Sequence, residues 1–188
     1  TIAWSNEGYK ITGDEKHCQM LKEEWGMENC KGIETPVAAK EPQKEMTEEE
    51  DDRDLMDPGD AWKFRRAAAR INYMALDRCD LSFASKETSR GMANPTYGDV
   101  VRLKRVLRYL KGSPRAYFTF VWQQPQHTIV GMCDSDWAGC TKTRKSTSGG
   151  IILSGRHTLM HWSSTQTIVS LSSAEAELNA AVKIISEA

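Results

Sequence analysis

The sequence predicts a mixed α/β chain, helical through its middle and finishing in antiparallel strands closed by one helix. Three observations carry this. Apolar residues recur at i, i+3, i+4 and i+7 between Asp60 and Lys111, the period drops to two after Pro114, and a helical period returns after Ser173. The chain shows no internal repeat.

Tyr9 to Ile11 reads as a short strand. Asp14 is placed to cap a helix reaching Trp25, with Met20, Leu21 and Trp25 as apolar positions and Gly26 as its stop. From Val37 to Pro58 the composition changes. EEEDDRD, residues 48–54, holds six acids in seven positions, and Pro42 and Pro58 discourage regular structure. Like charges at this density repel and bring little apolar area to offset ordering entropy, so 37–58 is expected to be a flexible acidic linker.

Asp60 then caps a helix with Phe64, Ala67, Ala68, Ile71, Met74 and Ala75 on one side and Lys63, Arg66 and Arg70 outside. A second helix covers Leu81 to Arg90, ended by Gly91 and the ANP turn at 93–95. A third runs from Tyr97 to Lys111 on Val100, Leu103, Leu107 and Leu110, and Gly112-Ser113-Pro114 stops it. Beyond it, AYFTFVW (116–122) and HTIVGMC (127–133) are strands joined as a hairpin through QQPQ, and GGIILSG (149–155) pairs with HTLMHWSS (157–164) around Gly155-Arg156. SSAEAELNAAVKIISEA is a helix capped by Ser172 or Ser173, with Ala174, Leu178, Ala181, Val182 and Ile185 as its buried face.

Composition narrows the class. The chain has 188 residues, a net charge of −1 and a mean hydropathy of −0.56, as a soluble protein has. It has no run of about 18 apolar residues to span a membrane. TIAWSNEGYK lacks the layout of a signal peptide. Five cysteines without CxxC, and without histidines at zinc spacing, predict a reduced, intracellular thiol set, cytoplasm and nucleus being indistinguishable. Residues 1–59 hold 7 Lys/Arg against 16 Asp/Glu, whereas residues 60–188 hold 18 against 10. The basic half is compatible with a polyanionic partner. Lys104, Arg105, Arg108 and Lys111 line the polar side of the third helix, which suits either a solvated face or a contact to a phosphate backbone.

Two pairs of acids carry possible chemistry. Asp134 and Asp136, in CDSDWAG, close an apolar strand and point to the same side of its pleat. Glu175 and Glu177 open the last helix about 200° apart, so they face different places. Glu177 borders the buried side, while Glu175 faces water or answers the helix N-terminus. A strand-end Asp with a helix Glu, and nothing Cys- or His-rich beside them, is a hard oxygen site suited to Mg²⁺ or Mn²⁺. The same spacing suits turn formers or salt-bridge partners. Ser172, Ser173, His157 and His161 form no triad, since no nucleophile elbow accompanies them, and no phosphate-binding GxxxxGK[ST] is present.

DSDWAGCTKTRKSTSGGIILSG followed by HWSSTQTIVSLSSAEAEL resembles the RNase H domain of copia-type retrotransposon Pol polyproteins. That family shows acid-x-D-W-A-G, R-[RK]-S-T-S-G, W-S-S-[KT]-[KQ] and S-S-[AT]-E-A-E in this order. RCDLSFASKETSRGMANPTYGDVVRLKRVLRYLKG (78–112) is similar to its stretch between polymerase and RNase H, and WGMENCKGIETP (25–36) to an upstream polymerase segment. The resemblance implies an α/β (α+β mixed) fold: a helical connection segment followed by a truncated RNase H-like three-stranded antiparallel sheet with one helix. It divides the chain into the end of a reverse-transcriptase-like region (1–36), the acidic linker (37–58), a helical connection (59–114) and a partial RNase H-like domain (115–188). It implies Asp134 and Glu177 as catalytic ligands of Mg²⁺ (or Mn²⁺), Asp136 in support, and hydrolysis of RNA in an RNA–DNA hybrid, with the rest of Pol as partner and no membrane.

Three departures stand out. Cys79 replaces the family's proline, and the acidic run at 45–54 is not a family feature. The family's third catalytic Asp lies on a strand beyond the last helix, and the polymerase Y-x-D-D is absent from the sequence. The chain is therefore expected to be inactive alone. The alternatives are a nucleic-acid-binding tether without catalysis and the relic of a decayed element.

Overall fold

The computed structural model describes residues 1–38, 54–140 and 143–188, so most of the acidic linker predicted at 37–58 lies outside the described residues. Among the described residues the fold is mixed α/β, with five α-helices and two three-stranded antiparallel sheets. The chain divides into two compact units, one formed by Thr1 and Thr12–Tyr117, the other by Ile2–Ile11 and Phe118–Ala188.

The first unit is helical: α1 (Glu15–Glu24), α2 (Pro58–Met74), a 3₁₀ turn (Cys79–Leu81), α3 (Ser82–Arg90) and α4 (Tyr97–Gly112). Every apolar residue assigned to the α2 stripe is buried, as are Leu103, Leu107 and Leu110 of α4. The outer cations of α2 also have work: Arg66 and Arg70 pair with Glu24 of α1, and the Lys63 ammonium sits 4.6 Å from the Trp25 ring centroid. Three local expectations are corrected. The α2 cap position is Asp57 and not Asp60, because Pro58 needs no amide partner in the first turn and sets a helical φ. Met20 points outward, whereas Cys18, three residues before Leu21, is the buried neighbour on α1. Residues 54–58 are ordered: Leu55 bridges Thr96, and the Met56 amide donates to the Pro95 carbonyl at 3.0 Å. Asp14 caps α1 through the Lys16 amide as expected, and Thr96 and Asp99 form a capping box on α4.

The second unit holds the sheets β1 (Ile2–Ser5), β2 (Gly8–Thr12), β3 (Tyr117–Val121) and β4 (Val130–Asp136), β5 (Thr147–Ser154), β6 (His157–Thr165), with α5 (Ser173–Glu187) last. The sheet orders are β1-β2-β3 and β4-β5-β6. The predicted 116–122/127–133 hairpin does not form. A period of two identifies a strand but not its partner, and β3 pairs with β2, where Tyr9 stacks on Phe120 with centroids 4.8 Å apart. His157 and His161 share a face, as their spacing required, against Phe120 and Phe118 of β3.

The buried face of α5 is also corrected. Ala176, Ala180 and Ile184 are buried, while Leu178, Val182 and Ile185 are 63, 59 and 76% exposed. The helix docks on its smallest residues because they let its backbone approach the sheet. At Gly131 of β4 a side-chain Cβ would lie 2.9 Å from Ile184, so only glycine leaves room for this contact.

Candidate functional site

The Gly131–Ile184 contact fixes which way β4 faces. Residues 131, 133 and 135 look toward α5, and the alternation of the pleat turns Asp134 and Asp136 to the opposite side of the sheet. Both carboxylates are exposed. Asp134 pairs with Gly149 and Asp136 with Thr147 across β4–β5. A Cβ placed at Gly149 would meet nothing within 4 Å, so the surface beside Asp134 is open. The Asp136 carboxylate folds over the Gly139 backbone, which makes it a turn-closing group as well as a neighbour of Asp134.

Glu177 reaches this strand from α5. Its Oε1 accepts from the Ser135 amide at 3.2 Å, between the two aspartates in sequence. Glu175 does something else. It accepts from the Leu171 amide at 2.7 Å while its own amide donates to Ser172 Oγ, so it belongs to the helix cap.

What aims α5 is a polar network that spacing alone did not reveal. Gln166 donates through Nε2 to Ser148 Oγ at 2.9 Å and to the Ala176 carbonyl at 2.8 Å, and its Oε1 accepts from Ser170 Oγ at 3.0 Å. Asn179 Nδ2 donates to Ser170 Oγ, and Trp137 Nε1 donates to the Ser170 carbonyl. Ser148, Gln166 and Ser170 are buried, so each bond replaces one lost to water, and together they hold the start of α5 against β5.

The acids at this end of β4 are Asp134, Asp136 and Glu177, with Cys133 beside them on the α5 side. Among the described residues no group of three His, Cys, Asp or Glu is arranged to hold a metal ion. Carboxylates are the ligand type Mg²⁺ takes, but Glu177 lies on the α5 side of β4 and Asp134 and Asp136 on the other face.

Comparison with known proteins decides the family. The chain is 36% identical over 128 residues to the retrovirus-related Pol polyprotein from transposon RE2 of Arabidopsis thaliana, covering 68% of this chain and 9% of that protein. It is 28% identical over 172 residues to the Pol polyprotein from transposon TNT 1-94 of Nicotiana tabacum, covering 90% of this chain and 13% of that protein. The chain belongs to the retrovirus-related transposon Pol family. An uncharacterized mitochondrial protein of Arabidopsis thaliana is 34% identical over 165 residues, covering 88% of this chain and 65% of that protein. The Pol segment described here thus spans about two thirds of that relative and about a tenth of the transposon polyproteins. No family model and no solved structure matches it.

In the helical unit of this Pol segment the cationic stripe of α4 is not one uninterrupted solvated face. Arg105 donates to Thr35 Oγ1 at 2.9 Å and Arg108 to the Lys31 carbonyl at 3.2 Å, so both strap residues 31–35 to the helix. Lys104 and Lys111 are exposed. The R-C-D of the same unit is structural. Arg78 is buried, its Nη2 lies 2.6 Å from Asp80 Oδ2, and Tyr109 Oη donates to the same oxygen at 2.6 Å. Burial alone would raise the Asp80 pKa, but hydrogen bonds from Arg78 and Tyr109 and the Arg78 charge outweigh it, and the carboxyl sits below its ordinary value. Cys79, where the Pol pattern has proline, is exposed at the first position of the 3₁₀ turn, a place that tolerates either residue. Among the described residues no helix is long and apolar enough to cross a membrane.

Proposed function

We propose that this Pol segment supplies part of an RNase H centre, hydrolysing the RNA strand of an RNA–DNA hybrid during reverse transcription, and that the chain is inactive by itself. The observation that carries this reading is Glu177 of α5 accepting from the amide of Ser135, the residue that separates Asp134 from Asp136 in sequence. Asp134, from the face away from α5, and Glu177, from the α5 side, would hold Mg²⁺ or Mn²⁺ across the free edge of β4, with Asp136 in support. When bound, the ion lowers the pKa of an attacking water and neutralises charge at the leaving oxygen. The open surface at Gly149 lets a nucleic-acid backbone approach Asp134 without meeting a side chain. Recognition rests on groove shape and the 2′-hydroxyl, which carry little sequence information.

The test is cleavage of a labelled RNA–DNA hybrid in Mg²⁺. The chain alone leaves the hybrid intact. Extension with the matching downstream segment of a transposon Pol relative gives cleavage, and Asp134→Asn in the extended protein removes it. An extended, folded protein that fails to cut, or an Asp134→Asn variant that cuts as well as its parent, sinks the reading. The exposure of Lys104 and Lys111 supports a second reading, a tether that binds nucleic acid without cutting. Reversing both charges then lowers salt-dependent binding without any cleavage having been present.

A further inference from the structure

We propose that Arg144 is a phosphate-contact residue, holding the backbone of a nucleic-acid strand at the end of the sheet where Asp134 and Asp136 lie. This rests on the RNase H reading for the identity of the strand, but its evidence is separate. Arg144 has φ +57°, and Ala138, at the other end of the same β4–β5 connection, has φ +53°. The left-handed region costs a residue with a Cβ roughly 1–2 kcal/mol, and glycine or asparagine would occupy it more easily. Both residues sit on a backbone conformation the loop imposes, and of the two Arg144 carries the long cationic side chain.

The surrounding bonds hold the backbone at this position. The Arg144 amide donates to the Cys140 carbonyl at 2.7 Å, and the Cys140 amide donates to the Lys145 carbonyl at 3.2 Å. The root of the loop is fixed in the interior. The Ala138 amide donates to Oγ of fully buried Ser146 at 3.0 Å, and the Gln166 amide donates to the Ser146 carbonyl at 2.8 Å. The Gln166 network that aims Glu177 therefore also anchors the loop carrying Arg144. The guanidinium is exposed and has no ion pair or hydrogen bond among the described residues.

Electrostatics gives the group its partner. Asp136 pairs with Thr147, three residues after Arg144, so the loop rises at the acidic end of β4. Asp134, Asp136 and Glu177 repel a phosphodiester that approaches without cations. A guanidinium carried on this anchored backbone offsets that repulsion and offers paired N–H donors that match phosphate oxygens, which a lysine ammonium does not.

The experiment measures fluorescence anisotropy of a labelled RNA–DNA hybrid against the whole chain at several salt concentrations, together with melting temperature. Arg144→Asn is expected to weaken binding roughly tenfold, the size of one charge-assisted contact, and to reduce the salt slope by about 1. The same variant keeps or raises the melting temperature, because asparagine relieves the backbone. Arg144→Lys, which keeps the charge and loses the fork, gives an intermediate loss. Binding by Arg144→Asn equal to that of the parent overturns the proposal, as does a parent with no salt-dependent binding. Since the readout is binding, failure here leaves the cleavage reading standing. An extended protein that binds through Arg144 but does not cut defeats only the cleavage reading.

Discussion

Glu177 on α5 accepts a hydrogen bond from the amide of Ser135, the residue between Asp134 and Asp136 on β4, so one carboxylate both answers an edge-strand donor and meets the strand one residue in sequence from each aspartate. The two jobs separate by substitution. Glu177→Gln keeps an acceptor and should unfold in urea within about 0.5 kcal/mol of the parent. Glu177→Ala loses the bond and should cost about 1 kcal/mol. On the RNase H reading proposed above, both variants should lose cleavage in the extended protein, since only a carboxylate would serve a cation.

The Arg78–Asp80–Tyr109 cluster makes a pH prediction. Asp80 has a depressed pKa, so it contributes stability that is fully present above the unfolded value of about 3.9 and is lost as pH falls through the lower folded value. Asp80→Asn should flatten the acid side of the stability curve, measured by urea midpoints from neutral pH downward. An Asp80→Asn curve as steep as the parent's would assign the acid loss elsewhere. Tyr109→Phe removes a hydrogen bond to a charged group and should cost about 1.5–3 kcal/mol at neutral pH.

Which face of α5 is buried decides another pair of outcomes. Ile185→Ser, at an exposed position, should change stability by less than about 0.5 kcal/mol. Ala180→Leu, at a buried one, should destabilise by about 1–3 kcal/mol through overpacking. Thermal melts of the two variants separate the docking seen here from the face that hydrophobicity alone suggests.

Gln166→Leu tests the network that aims the helix. It leaves Ser148 Oγ and the Ala176 carbonyl without their donor and should cost about 1–3 kcal/mol. Hydrogen exchange should rise first in the opening turn of α5, while α2 and α4 keep their protection.

The regions legible in the sequence share a cause. The α2 stripe was readable because Phe64, Ile71 and Met74 face a core made by other helices, and the apolar period reports that face directly. The α5 face was not, because Ala176 and Ala180 are chosen for closeness of approach and look unremarkable beside Leu178 and Ile185. Asp134 and Glu177 are singled out by the resemblance of their motifs to the Pol pattern, since spacing alone leaves turn formers and salt-bridge partners equally open. The roles of Gln166, Ser146 and Ser170 depend on burial, which polar residues in a Ser/Thr-rich stretch do not announce. Pairing of β3 with β2 spans more than a hundred residues, beyond the reach of any local pattern.

That long-range pairing bears on how the chain is made. The hydrophobic core of the helical unit is contributed by residues between Cys18 and Leu110, so this unit can mature as soon as one continuous stretch has been synthesised. The β1–β2 hairpin emerges earlier but waits for Tyr117–Val121 before its sheet exists. Closing the long connection is entropically tolerable, since each doubling of loop length adds only about 0.6 kcal/mol, yet such pairings form slowly. Translation that stalls between the two events leaves a finished helical body trailing an unpaired, tryptophan-bearing ribbon, the species on which chaperones and proteases would act.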